Sequence, residues 1–267
     1  MILRPSRSPA ETNSSGELPV QNAWRPFLDS QANVSAPYGI VFQSRHSILA
    51  GDLARCLEER IFGPLLPDVI AAIARHDFGW DESDERQLKA LPDAVPRPFP
   101  ALGTEETLPS WSKSIALAAA VSPLVEVLVS RHFCLLGAGE PSRTGFVRAE
   151  TERREAIERA LPFPQADLDR WTGALGFCDL LSLYLCAGCT TPAEFPLAHP
   201  ASPNAGMAPK TVLTWRSGSP VLSPPALKPA TEVALSLRLY TRDGASQASE
   251  SLAWSFGKHG FFQQQGT

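Results

Sequence analysis

Four stretches of this chain repeat apolar residues at steps of three and four, and each puts a histidine, an aspartate or both on that apolar stripe. In "RHSILAGDLARCLEER" the stripe runs His46, Leu49, Leu53, Leu57. In "PDVIAAIARHDFGW" it runs through Val69, Ile70 and Ile73 to His76 and Asp77. In "PLVEVLVSRHFCLL", Val125, Leu128 and Val129 lead to His132. In "LDRWTGALGFCDLLSLYL", Leu168, Trp171 and Leu175 lead to Asp179, with Ser182 and Leu183 beyond. A carboxylate buried without a partner is expensive, so two inward aspartates need cations or donors beside them. Imidazoles and a metal ion supply both. Three His and two Asp form a nitrogen and oxygen set that suits Mn, Fe, Zn, Ni or Co better than Ca. Taken singly, each has an ordinary reading: a satisfied core histidine, a helix cap, or an aspartate paired with one of the 24 basic residues. His199 and His259 fall in Pro-rich and β-forming regions, off this pattern, and read as structural or exposed.

The order of segments predicts a mainly α fold. Residues 1–36 are polar and aperiodic and read as a disordered or loosely packed tail, with a local contact from Trp24 and Phe27. A helical domain follows over 37–190, opening on the apolar run "YGIVFQ". Helices are expected over 44–61, 67–78, 110–136, 145–160 and 165–187. "WDESDER" reads as a solvated turn, with Asp81 its candidate for proximity to a metal. Prolines cluster over 92–109 and 192–229, in connections rather than long helices. Residues 191–267 form a Pro-rich linker and a small C-terminal antiparallel β element, from "TVLTW", "EVALSLRLY" and "SLAWSFGKHGFF". Asp243-Gly244 reads as the tip of a hairpin.

A net charge of −4 gives no specific nucleic-acid signal, and no run of apolar residues is long enough to span a membrane. Five cysteines without a secretory leader read as reduced thiols in a cytoplasmic protein. Cys186 and Cys189 form a lone C-x-x-C with only His199 nearby as a further ligand, and read as small residues at a helix end.

The order His46, His76-Asp77, Asp179 on successive helices resembles the HD-domain superfamily of metal-dependent phosphohydrolases. The stretches "VFQSRHSILAGDLA", "AIARHDFGW", "SPLVEVLVSRH" and "GFCDLLSLYLC" resemble more closely still a mainly bacterial family known as domain of unknown function 3891. The resemblance implies an HD-domain-like helical bundle with a divalent transition metal held by His46, His76, Asp77 and Asp179. His132 falls where two-metal members hold a second ion, so one or two ions are compatible. Many members carry a lysine three residues after the HD aspartate; Trp80 stands there in this chain.

Such a site implies a hydrolase of a phosphate ester or nucleotide, using metal-activated water with Asp77 as the bridging or water-orienting carboxylate. The substrate would be small and anionic. Arg45, Arg75 and Arg131 each precede a candidate histidine and are placed to flank a pocket and grip phosphate, or else to face solvent. Gln43 is placed to bond a ligand or cap its helix. The alternatives are an HD-type di-iron oxygenase and a non-catalytic metal- or ligand-binding module. An oligomer built through an exposed β edge is compatible with the pattern.

Overall fold

The computed structural model describes residues 1–5, 21–32, 38–91, 93–240 and 246–256. His259 and the Asp243-Gly244 tip lie outside the described residues. In chain order the elements are β1 (Ile2–Pro5), β2 (Gln21–Asn22), α1 (Trp24–Ala32), β3 (Tyr38–Val41), α2 (Gln43–Arg55), α3 (Glu59–Phe62), α4 (Pro67–Arg75), α5 (Asp81–Lys89), α6 (Thr104–Ala119), α7 (Pro123–Gly137), α8 (Thr144–Ala160), α9 (Gln165–Ala187), β4 (Ala193–Pro196), β5 (Lys210–Arg216), β6 (Ser219–Ser223), β7 (Glu232–Tyr240) and β8 (Ser246–Ser255). The fold is mainly α, as the sequence predicts.

Helix α9 is the axis of the molecule. It is 23 residues long, and every side chain from Trp171 to Ala187 is buried. A helix apolar on all sides has to be enclosed by its neighbours. Helices α2, α4 and α7 pack against it, and α4 packs between α2 and α7. Gly188, at φ 71°, ends it in a left-handed cap. Arg4 then donates to the carbonyls of Leu185 at 2.6 Å and Cys186 at 3.3 Å, the former shared with the Gly188 N–H.

Two expected helices are each split. The 110–136 stretch becomes α6 and α7, because Ser122 and Pro123 restart the helix. Pro123 occupies the first helical turn and Ser122 Oγ accepts from the Val125 N–H at 3.3 Å. The 44–61 stretch becomes α2 and α3, because residues 56–58 bond instead to the backbone of residues 226–228. Glu58 N–H donates to Ala226 O at 3.0 Å and Lys228 N–H donates to Cys56 O at 2.8 Å.

The strands expected after residue 190 are present as far as they are described, residues 257–262 lying outside, and they recruit partners from the N-terminal part of the chain. Among the described residues there are two four-stranded sheets, β1-β3-β7-β8 and β2-β4-β5-β6. The first is antiparallel throughout; in the second, β2 runs parallel to β4. The loosely packed tail expected over 1–36 is therefore corrected where it is described. Met1, Ile2 and Phe27 are fully buried. Gln31 brackets β1, accepting from Leu3 N–H at 3.0 Å and donating to Leu3 O at 2.9 Å. A four-residue strand is too short to show a period, which is why the sequence alone does not reveal it.

His76 and Asp77 also sit differently from expectation. Helix α4 ends at Arg75, and the pair occupies a tight turn that continues as a 3-10 turn over Phe78–Trp80. "WDESDER" is likewise not a solvated turn but the start of α5, with Asp84 wholly buried. Asp84 accepts from the chain's α-amino group at 2.6 Å and from Gln43 N–H at 2.7 Å. Gly79 lets the His-Asp turn lie directly on α6. Its N–H donates to Ser114 Oγ at 3.0 Å, and a Cβ there would stand 2.2 Å from Ser110 O and 2.4 Å from Ser114 N. Both are backbone atoms, so they cannot rotate away.

Gly79→Ala is therefore expected to lower stability by about 3 kcal/mol, the upper range for forced overpacking. Gly145→Ala, on exposed α8 with nothing near its Cβ position, is expected to be neutral or stabilising by up to about 1 kcal/mol. Urea unfolding of both variants checks the contrast; equal midpoints would remove the role given to Gly79.

Candidate metal centre

The five inward residues meet. His46 comes from the first turn of α2, His76 and Asp77 from the turn after α4, His132 from α7 and Asp179 from the middle of α9. All are buried, and Asp77, at 6% exposed, is the most accessible of them. His46 Nε2 lies 2.7 Å from Asp77 Oδ2. His76 Nε2 lies 3.3 Å from Asp179 Oδ1 and 3.6 Å from Asp77 Oδ2. His46 Nδ1 is 3.8 Å from Asp179 Oδ1. His132 Nε2 is 3.7 Å from Asp179 Oδ2. Two groups have the spacing to hold a metal ion: His46, His76 and Asp77, and His76, His132 and Asp179.

The outer hydrogen bonds fix which ring nitrogens are bare. His76 Nδ1 lies 2.7 Å from the Ile73 carbonyl, which can only accept, so Nδ1 carries hydrogen. Ser182 Oγ donates to Asp179 O at 2.8 Å, so it accepts from His46 Nδ1 at 2.9 Å. Both rings, when neutral, then turn an Nε2 lone pair toward carboxylate oxygens. Lone pair against lone pair at 2.7 Å and 3.3 Å requires a proton or a cation between them. Ring N–H groups anchored outward with bare nitrogens converging inward are the usual support of metal-bound imidazoles, and these residues fit a divalent ion.

Without an ion, protons take that role. Burial alone would push the His76 pKa down, but Asp77 and Asp179 outweigh it and raise it from 6.5 to about 9. Burial pushes the Asp77 carboxyl up, and the charges of His76 and His46 more than reverse this, holding it below its ordinary value. His132 goes the other way: burial, and then the neighbouring His199, His76 and His46, hold it well below 6.5. His199 is pushed down to about 3 by burial and by His76.

His199 is the residue sequence reasoning missed. It is not peripheral: it is buried, and its Nε2 lies 2.8 Å from His132 Nδ1. It lies in an irregular segment after β4, where no helical period could point it inward.

The arginines do not converge on the centre. Arg131 bridges Glu158 at 3.4 Å and also pairs with Asp169. Arg75 is exposed, its guanidinium 5.4 Å from the Phe78 ring centroid. Arg45 is exposed on α2. Gln43 is buried and does not cap its helix; its Oε1 has no hydrogen-bond partner among the described residues. Asp81 is not in either metal-spaced group. Trp80 is buried in the core, its ring 6.5 Å from that of Phe99. Cys186 and Cys189 are free buried thiols, and burial pushes Cys189 up to about 11. No helix among the described residues is long and apolar enough to cross a membrane.

The family model described as "Protein of unknown function (DUF3891)" matches residues 32–219, and the chain belongs to that family. The matched span contains the five converging residues and His199. No curated protein and no solved structure matches the chain.

Stability is expected to report the centre through pH. Folded His76 keeps its proton up to about 9 and unfolded His76 only to 6.5, so metal-free stability falls as pH rises through that window. His199 has the opposite sign: unfolded it takes a proton below 6.5, folded only below about 3, so it removes stability as pH falls between those values. A saturating ion displaces the His76 proton, so the alkaline loss is expected to disappear. Thermal unfolding from about pH 3 to pH 9, in chelator and, at the alkaline end, in excess Zn²⁺ or Mn²⁺, checks both signs. Identical alkaline slopes would exclude metal binding at His76.

Proposed function

We propose that this DUF3891 chain is an HD-domain-like metal-dependent hydrolase acting on a small anionic phosphate ester or nucleotide. The observation that carries the reading is the pair of imidazoles anchored by Ser182 and Ile73, with bare nitrogens facing Asp77 and Asp179. Four such groups, in the order H, HD, D, support the resemblance to the HD superfamily.

A divalent transition ion there would supply a Lewis acid and bring a bound water from a pKa of about 16 toward 7. The remaining functions belong to the side chains. His46, His76 and Asp179 hold the centre rigid, since each sits in or directly after a packed helix. Asp77, the most accessible of the set, orients the attacking water and marks the side from which substrate approaches. Gln43, one turn before His46, presents a buried acceptor available to a ligand donor such as a nucleobase amine or a hydroxyl. With Arg131 held by acidic partners, the substrate anion is met chiefly by the centre itself.

The second metal-spaced group, His76, His132 and Asp179, supports a two-ion alternative of the oxygenase type. Metal identity separates the readings: iron with a visible absorption band favours oxygenase chemistry, and Mn or Zn with phosphoester turnover favours the hydrolase.

Elemental analysis of the purified wild type beside His76→Ala and Asp179→Ala is the test. Bound transition metal is expected in the wild type and lost in both folded variants. Hydrolysis across a phosphoester and nucleotide panel should fall by more than about 100-fold, the range already seen when only an outer partner of a ligand is removed. A wild type that stays metal-free after reloading with Mn, Fe, Zn and Ni overturns the proposal.

A further inference from the structure

His132 belongs geometrically to a second metal-spaced group, yet its hydrogen bonds give it a different task. Ala201 N–H donates to His199 Nδ1 at 3.2 Å. A ring nitrogen that accepts is bare, so neutral His199 carries its hydrogen on Nε2. That nitrogen lies 2.8 Å from His132 Nδ1, which must accept in turn. Neutral His132 therefore carries its hydrogen on Nε2, pointing toward Asp179 Oδ2 at 3.7 Å. The reverse arrangement would set the Nδ1–H of His199 against the N–H of Ala201, two donors face to face.

This is the opposite of the state found at His46 and His76, where an oxygen acceptor holds the Nδ1 hydrogen and leaves Nε2 bare. A metal ion needs the lone pair of a ring nitrogen. We infer that His199 is a positioning residue that locks the hydrogen of His132 on Nε2, the nitrogen that faces Asp179, so that the centre accepts one ion, at His46, His76, Asp77 and Asp179, and not two. This one-ion count rests on the metal reading proposed above.

The fold is built to seat His199 there. The segment carrying it lies in a groove of α9 made by two glycines three residues apart. At Gly176 a Cβ would stand 2.5 Å from His199 Cδ2, 2.7 Å from its Cγ and 2.8 Å from Pro200 Cδ. The imidazole thus fills the space that a side chain at 176 would take. At Gly173 the same construction comes within 3.4 Å of Ala198 Cα. A turn bond from Ser202 N–H to His199 O at 2.9 Å holds the backbone that presents Ala201 N–H to the ring. His132 and His199 have ring centroids 5.0 Å apart, and His132 stands between His199 and His76, whose ring is 5.2 Å away. Asp179 is thereby divided: Oδ1 faces His76 and the ion site, and Oδ2 faces the hydrogen of His132.

The test compares the wild type with His199→Gln and His199→Glu, variants of similar size that differ in donor capacity. Glutamine can donate to His132 Nδ1; glutamate can only accept from it. Nitrogen-15 spectra of the imidazoles in metal-free and Zn²⁺-loaded protein report the tautomer of His132, and zinc analysis at saturation reports the count. The wild type and His199→Gln should show His132 with hydrogen on Nε2 and one zinc per chain. His199→Glu should move the hydrogen to Nδ1, free Nε2, and raise the count to two. A wild-type His132 with hydrogen on Nδ1, two zinc ions in the wild type, or the same tautomer and count in both variants would overturn the inference. Should a variant not fold, the wild-type spectrum and zinc count still decide it. Absence of zinc from every protein defeats the metal reading and the one-ion statement with it, while the His132 spectrum separately upholds or overturns the locking role of His199.

Discussion

Asp77 and Asp179 carry their charge into the interior of a helical bundle, and the surrounding structure is arranged to meet it there. Desolvating two carboxylates is unfavourable by several kcal/mol each unless partners of good geometry are already in place. Here each partner is itself anchored: His46 by Ser182, His76 by Ile73. The anchors lie on helices whose packing is fixed by apolar contacts, so polar groups near the axis are held by a core that would form for its own reasons. The rigidity of α9 matters most, because its middle carries Asp179 and its next turn carries Ser182.

The two sides of the centre are chemically unequal. On one side, imidazoles anchored by oxygen acceptors show bare nitrogens to carboxylates. On the other, an imidazole anchored by a second imidazole shows a hydrogen. The direction of a single backbone N–H, that of Ala201, propagates through two rings to reach Asp179. Spacing alone treats His132 and His46 as equivalents; hydrogen-bond direction separates them.

Much of this was legible in the sequence. Apolar period turns His46, His132 and Asp179 inward, and the structure buries them, because each lies within a regular helix whose stripe faces the axis. His76 and Asp77 were found by the same arithmetic although they lie beyond the end of α4; the turn keeps His76 near helical angles, so the projection still held. What escaped was whatever depends on irregular or short segments. His199 has no period to betray it, and its place is set by glycines on a distant helix. The strand Ile2–Pro5 is too brief to recognise and acquires its meaning only from β3 and Gln31. The arginines preceding each histidine were sound candidates by direction, but acidic partners on α8 and α9 captured Arg131, and such competition is a tertiary fact.

The first sheet has a consequence for the order of assembly. Strand β3 sits between β1 and β7, and β7 packs on α2, the helix that carries His46. Residues 38–40 therefore find their second sheet neighbour only at residues 238–240, a wider separation in sequence than that between α2 and α9. During synthesis α2, the turn after α4, and α9, which together bear all four ion-facing groups, emerge before β7 does. At that stage the strand that packs on α2 from the sheet side has yet to be made. The first sheet, order β1-β3-β7-β8, is thus completed only by the last two strands of the described residues.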